Sequence, residues 1–258
     1  MGIILRYLKI KLIIMITNKS IGGIKEFILD DWDEFHSLVV EKMIHRNYVF
    51  RGQRNSTWKL EPTLNRIFKS QSEAEFKKTK RIQLDNFKKS IRGRTKFYND
   101  IIKDENEIWA LGQHNFLNTP LLDFTESPYV AAYFAFHEYE NDSEYRVIYA
   151  VSQKNITDNH KDDFELFTPI SDFNNRLISQ SGLFVKYNTK DDLENLVKIK
   201  YLKNKDGKIK IFKIKIKNNQ REKCLISLNR MNINHNTLFP DLFGSALYCN
   251  IGLEIKNY

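Results

Sequence analysis

Apolar residues recur at two different periods along this chain, and the switches between them map its elements. From Ile24 to Met43, Phe27, Ile28, Trp32, Phe35, Leu38 and Val39 fall at intervals of three and four, which predicts one helix or two short ones after Gly22-Gly23. Asn47 to Arg51 brings Tyr48, Val49 and Phe50 consecutively, a strand signal, and Trp58 to Pro62 reads as an extended run into a turn. Helical spacing returns from Ser72 to Ser90, with Ala74, Phe76, Ile82, Leu84 and Phe87, and from Ile101 to His114, with Ile108, Trp109, Ala110 and Leu111. After the short apolar Leu121-Leu122, Pro128 suits the first turn of another helix, with Ser127 or Thr125 as its cap. That helix runs on through Val130 to His137, where Ala131, Ala132 and Ala135 permit close backbone packing.

Beyond Tyr145 the pattern favours strands, at Arg146 to Val151 and Gly182 to Tyr187. Leu196 to Leu202 and Lys208 to Ile216 flank Asn204-Lys-Asp-Gly207, and Asp-Gly predicts a hairpin joining two strands. Arg221 to Met231 reads as helix, and Phe239 to Gly244 as a turn into a last helix or strand. The expected class is α+β, with helices mainly in the first half and a mixed or antiparallel sheet fed mainly by the second.

Length and composition leave that picture as one domain, since neither a repeat nor a break in composition divides the 258 residues. Residues 1–16 form an N-terminal extension ahead of a domain spanning 17–258. The extension is apolar but interrupted by Arg6, Lys9 and Lys11, and it is shorter than the roughly 20 residues a membrane span needs. Met15 is the natural alternative start. With 18 Phe and 12 Tyr, aromatics carry much of the core. The net charge of +9 is concentrated between Lys198 and Lys217, where Lys alternates with Ile and Phe. Those lysines are either a solvated strand face that discourages edge pairing or a surface for nucleic acid or a partner. Cys224 and Cys249 are isolated from each other and from any His in ligand spacing. That pattern gives no zinc site and fits a reducing, cytoplasmic setting.

The polar groups that invite chemistry sit at strand and helix ends. Arg51 ends an apolar strand beside Gly52, where a ligand can approach the backbone, a suitable fork for phosphate or carboxylate. The structural alternative is an ion pair with Asp123. Gln113 and His114 close a helix, and His114 is either a general acid/base or a cap. Asp123, Thr125 and Glu126 precede a helix N-terminus and either orient an anionic ligand or cap the helix. Arg176 and Gln180 lead into the strand at Gly182 and line the same pocket or satisfy their own loop. No Gly-rich phosphate loop, nucleophile elbow or metal-ligand cluster is present.

Taken in order, Phe50-Arg-Gly52, Gln113-His114, Leu121-Leu-Asp-Phe-Thr125, Ser127-Pro128, Ala132-Tyr-Phe-Ala135, Arg176 and Gln180-Ser-Gly-Leu-Phe184 resemble the FRG domain family, named for its Phe-Arg-Gly motif. Phe239-Pro-Asp-Leu-Phe-Gly244 is similar to its closing motif, while Pro120 stands where the family carries a second Arg. The family's company implies a bacterial defence or toxin setting.

A more distant likeness is to arginine-type ADP-ribosyltransferases, whose strand-end Arg holds the phosphates of NAD and whose sheet is split. That likeness implies NAD as substrate, no tightly bound cofactor, and a nucleic-acid or protein acceptor. Arg51, His114, Thr125 and Gln180 would then be catalytic, with Phe50, Gly52, Gln53, Gln113, Asp123, Glu126, Tyr133 and Arg176 lining the substrate. The catalytic Glu of those enzymes falls on Gly182. A binding module built on the Lys-rich hairpin is the competing expectation.

Overall fold

The computed structural model describes residues 19–44, 47–95, 98–140, 142–170, 175–204 and 210–258. The expectations for the extension at 1–16 and the Asp-Gly turn at 206–207 lie outside these residues. Eight strands form one sheet: β1 (Lys19–Ile21), β2 (Ile24–Leu29), β3 (Tyr48–Gln53), β4 (Leu121–Thr125), β5 (Tyr145–Ser152), β6 (Phe164–Phe167), β7 (Gly182–Tyr187) and β8 (Ile211–Lys217). Their spatial order is β1-β2-β8-β5-β3-β4-β7-β6. Only β2 and β8 run parallel; every other pairing among them is antiparallel.

Two-residue alternation assigns the faces. Phe50, Ile148, Ala150, Phe212, Ile214 and Ile216 point into one core, and Val49, Val147, Tyr149, Val151 and Ile211 into the other. Helices α1 (Trp32–Lys42), α6 (Pro128–Phe136), α9 (Arg221–Arg230), α10 (His235–Leu238) and α11 (Leu242–Glu254) contribute to the first core, and α8 (Leu193–Asn204) covers the second. A third cluster joins α3 (Glu73–Ser90) and α5 (Glu105–His114) to Leu121 of β4 and Phe184 of β7. Short helices α2 (Thr63–Ile67), α4 (Tyr98–Ile101) and α7 (Arg176–Gln180) complete the set. The class is α+β.

Local signals set several boundaries. Ser72 caps α3 in a reciprocal capping box with Glu75, and Ser127 caps α6 ahead of Pro128. Helix α5 starts at Glu105 rather than Ile101, because the Asp104 carboxylate accepts from the Asn106 amide at 2.8 Å and fixes the start there.

Several expectations fail. Ile24–Leu29 is strand β2, not the front of a helix: Gly22 and Gly23, at φ 56° and 78°, make a two-residue hairpin with β1. The strand then pairs with β8 at six positions from Ile24 to Leu29. Leu193–Asn204 is a helix rather than a strand, with Leu193 and Val197 buried four residues apart. Strand β8 therefore has no hairpin partner upstream and lies inside the sheet, between β2 and β5. Its lysines are paired rather than set along an edge: Lys213 with Glu194 at 3.3 Å, Lys215 with Glu26 at 3.0 Å and Lys217 with Asp30 at 2.8 Å. Among the described residues, strands also divide evenly, four before residue 126 and four after it. Among the described residues, no helix is long and apolar enough to cross a membrane.

Candidate functional site

The sheet is nearly interrupted at its centre. Strand β3 pairs with β5 at six positions and β4 pairs with β7 at five, yet β3 and β4 meet only at Phe50 and Thr125. A cleft of about 510 Å³ is lined by residues from both sides of this junction, within the range of about 300–1,000 Å³ usual for small-ligand sites. Its walls draw on both cores. Phe134 of α6 and Phe239 pack against one, while Leu60, flanked by the lining residues Lys59 and Glu61, belongs to the other. Two buried tyrosines hold that second wall by its carbonyls. The Tyr149 hydroxyl, 2.8 Å from the Glu194 carboxylate, lies 3.2 Å from the Trp58 carbonyl, and Tyr187 donates to Leu60 at 2.7 Å.

Arg51 is the first residue of β3 past the junction. Its Nη1 donates to the Asp123 carbonyl at 2.7 Å and lies 3.5 Å from the Asp123 carboxylate, bridging the diverging strands. Its Nε is buried with no hydrogen-bond partner in the structure. Burial pulls the Arg51 pKa down, Asp123 opposes that, and the nearby Arg66 charge adds to the lowering. Gln113 Nε2 donates to Asp123 at 3.1 Å, and the Thr119 hydroxyl donates in turn to the Gln113 oxygen. Asp123 thus takes both the ion pair and the amide.

Residues 46–144 match the sequence profile of the FRG domain. This chain carries an FRG domain. No curated protein and no solved structure gave a match. In this FRG domain the three residues of the Phe-Arg-Gly motif divide their work. Phe50 is buried in a core, and Arg51 projects into the cleft. Gly52 admits helix α6: a Cβ there would lie 1.8 Å from the Ala131 carbonyl oxygen and 2.7 Å from the Ala135 amide. The glycine therefore lets a helix approach the backbone, where the sequence suggested a ligand.

Of the residues expected at the site, Phe50, Arg51, Gly52, Gln53, Gln113 and His114 line the cleft, as do Asp123, Thr125, Arg176 and Gln180. Arg176 and Gln180 lie outside the matched segment and are brought in by α7. Several of these polar groups are already engaged. The Thr125 hydroxyl donates to the Gln180 carbonyl at 2.6 Å and accepts from the Ser127 amide at 3.0 Å. Gln180 Nε2 donates to the Leu238 carbonyl at 3.0 Å, so Thr125 and Gln180 brace the wall. Gln53 is buried and donates to the Lys59 carbonyl at 3.3 Å, with its own oxygen unpartnered.

Two residues fall elsewhere. Tyr133 is fully buried in the helical layer, where its hydroxyl meets His235, because α6 is apolar on every side and buries that face too. Glu126 is exposed and does not line the cleft; its backbone amide donates to Ser181 at 3.0 Å.

The sequence reading missed Trp58, Lys59, Glu61, Arg66, Phe134 and Phe239 as lining residues. The extended run from Trp58 to Pro62 was the available signal for the first three. Glu61 is a buried carboxylate whose ion pair, with the exposed Lys69, measures 3.4 Å. Among the lining cations, Arg54 pairs with Glu138 at 2.5 Å, Asp142 at 3.3 Å and Glu140; Lys59 pairs with Asp192 at 2.7 Å and Arg176 with Asp241 at 2.5 Å. Among the described residues no group of three or more His, Cys, Asp or Glu is placed to hold a metal ion.

Proposed function

We propose that the cleft binds a nucleotide, with NAD as the candidate substrate, and that the chain consumes NAD by breaking the bond between nicotinamide and ribose. The observation that carries this reading is Arg51, set where the central strands part, half satisfied by Asp123 and with a buried unpartnered Nε. A guanidinium in that position is a pre-oriented anion fork. Trp58, Phe134 and Phe239 add aromatic surface to the walls, with Arg54 over the Trp58 ring and Arg176 over the Phe239 ring.

In this reading Arg51 holds phosphate, while Asp123 and His114 face the ribose. Thr125 and Gln180 keep the wall in place. The arginine-type ADP-ribosyltransferases that the motifs resemble use a Glu where this chain has Gly182, so in this reading the carboxylate that stabilises positive charge at the ribose carbon comes from Glu61. Water or an acceptor nucleophile attacks that carbon as nicotinamide leaves with the bonding electrons.

The test is nicotinamide release from NAD by the purified chain, alone and with cell lysate, against Arg51→Ala and Glu61→Gln. The expected outcome is release by wild type, loss of binding and release in Arg51→Ala, and retained NAD binding without release in Glu61→Gln. Absence of both NAD binding and release in wild type under every condition refutes the proposal.

A further inference from the structure

The lining cations of the cleft are not equivalent. Arg54, Lys59 and Arg176 each face an acid at 3.3 Å or less, and Arg51 is held by Asp123. Arg66 has no side-chain hydrogen bond or ion pair among the described residues and is exposed, yet it lines the same cleft as Arg51. The backbone that carries it is fixed. Helix α2 is pinned on either side of it. Leu64 and Asn65 are buried, the Leu64 amide donates to the Thr119 carbonyl at 3.2 Å, and Asn65 Nδ2 donates to the Thr189 carbonyl at 2.9 Å. The short helix therefore presents an unpaired guanidinium from a fixed base.

Two guanidiniums in one cleft repel, and the lowering of the Arg51 pKa by Arg66 registers that repulsion. Such an arrangement persists at a cost that an anion of matching charge offsets. One phosphate satisfies one fork. Two forks in one opening, Arg51 on strand β3 and Arg66 on helix α2, match two linked phosphoryl groups.

Resting on the nucleotide reading above, we infer that Arg51 and Arg66 together form a two-point clamp for a diphosphate, so that the site selects dinucleotides and nucleoside diphosphates over mononucleotides. Arg51 takes one phosphoryl group from the floor of the split, and Arg66 takes the other from the rim. In this clamp the placement of the two forks sets where the attached sugars lie.

The experiment is calorimetric titration with NAD and ADP-ribose, which carry a diphosphate, and with AMP and nicotinamide mononucleotide, which carry one phosphate. Wild type, Arg66→Gln and Arg66→Lys are compared, with thermal melting as the check on folding. Wild type is expected to prefer the diphosphates by tenfold or more. Arg66→Gln weakens them by about tenfold to a hundredfold, the worth of a charge-assisted hydrogen bond, and the preference over AMP collapses. Arg66→Lys restores only part of it, since an ammonium lacks the planar fork. Melting of Arg66→Gln stays at or slightly above the wild-type temperature, because the side chain has no folded-state partner to lose and its repulsion of Arg51 is relieved.

Equal affinity of wild type for AMP and ADP-ribose overturns the clamp and leaves nucleotide binding standing. So does an Arg66→Gln variant that binds ADP-ribose as wild type does. Failure of wild type to bind any of the four probes overturns the clamp together with the nucleotide reading.

Discussion

Replacing Gly52 with Ala tests whether the motif glycine is a packing device. The added Cβ would sit 1.8 Å from the Ala131 carbonyl oxygen, against a floor of 3.0 Å for real contacts, so strand β3 and helix α6 must separate by at least 1.2 Å, the difference between the two. Both opposing atoms are backbone, so no rotamer change relieves the clash. Helix α6 in turn carries Val130, Ala131, Ala132, Tyr133, Ala135 and Phe136 into the core, and all of them shift with it. Overpacking of this kind costs about 1–3 kcal/mol, and a rigid backbone neighbour places Gly52→Ala near the top, at about 3 kcal/mol. For a chain of this size that lowers Tm by about 6–12 °C.

The assay is thermal and urea unfolding followed by circular dichroism, with Gly252→Ala as the opposite control. A Cβ at Gly252, within α11, meets nothing within 4 Å. The same chemical change there should stabilise by about 0.5–1 kcal/mol through helix propensity. A Gly52→Ala variant that melts within about 2 °C of wild type, well under the shift just worked from about 3 kcal/mol, refutes the packing argument.

Two further predictions concern stability. Burial, then the neighbouring His137, lowers the His235 pKa from its ordinary value to about 4. The unfolded chain therefore takes up that proton first. Stability is fully present above about pH 6.5 and falls by about 3 kcal/mol as pH drops toward 4. Urea midpoints measured from pH 7.5 to 4.5 should slope less in His235→Asn than in wild type; parallel profiles refute the assignment. Phe116, at φ 63° and 97% exposed, ends α5 in a left-handed conformation that disfavours a bulky side chain. Phe116→Gly should raise stability by up to about 1 kcal/mol, read as a higher melting temperature; a lower one counts against backbone strain there.

What could be read from the sequence was whatever one segment decides by itself. The Ser72 and Ser127 caps, the Pro128 start and the run from Gly182 to Tyr187 each carry their own signal, and the elements formed there. The segment from Ile24 to Leu29 did not, because its pairing partner lies at Ile211–Ile216 and no local period records that. At Leu193–Asn204 the Asp-Gly dipeptide pulled the reading toward a hairpin, although Leu193 and Val197 already had helical spacing.

The site divides in the same way. Arg51 and Asp123 were visible because strand ends gather polar groups, and the fold puts them in contact. Arg66 was invisible because its place depends on Asn65 reaching Thr189, 124 residues away. The roles of Thr125 and Gln180 changed once the hydrogen bond between them was on view.

The single rung between Phe50 and Thr125 gives the domain the mechanics of two plates joined by one rivet. One plate is β1-β2-β8-β5-β3, the other β4-β7-β6. Each is stitched internally by ladders of several pairs. In backbone hydrogen bonds this junction is the weakest seam of the sheet, and the second core holds it from behind, drawing Val49 and Val151 from one plate and Leu122 and Val185 from the other. Across that gap the Arg51 guanidinium on the Asp123 carbonyl is already a strut, so the placement of that one side chain and the angle between the plates are tied together.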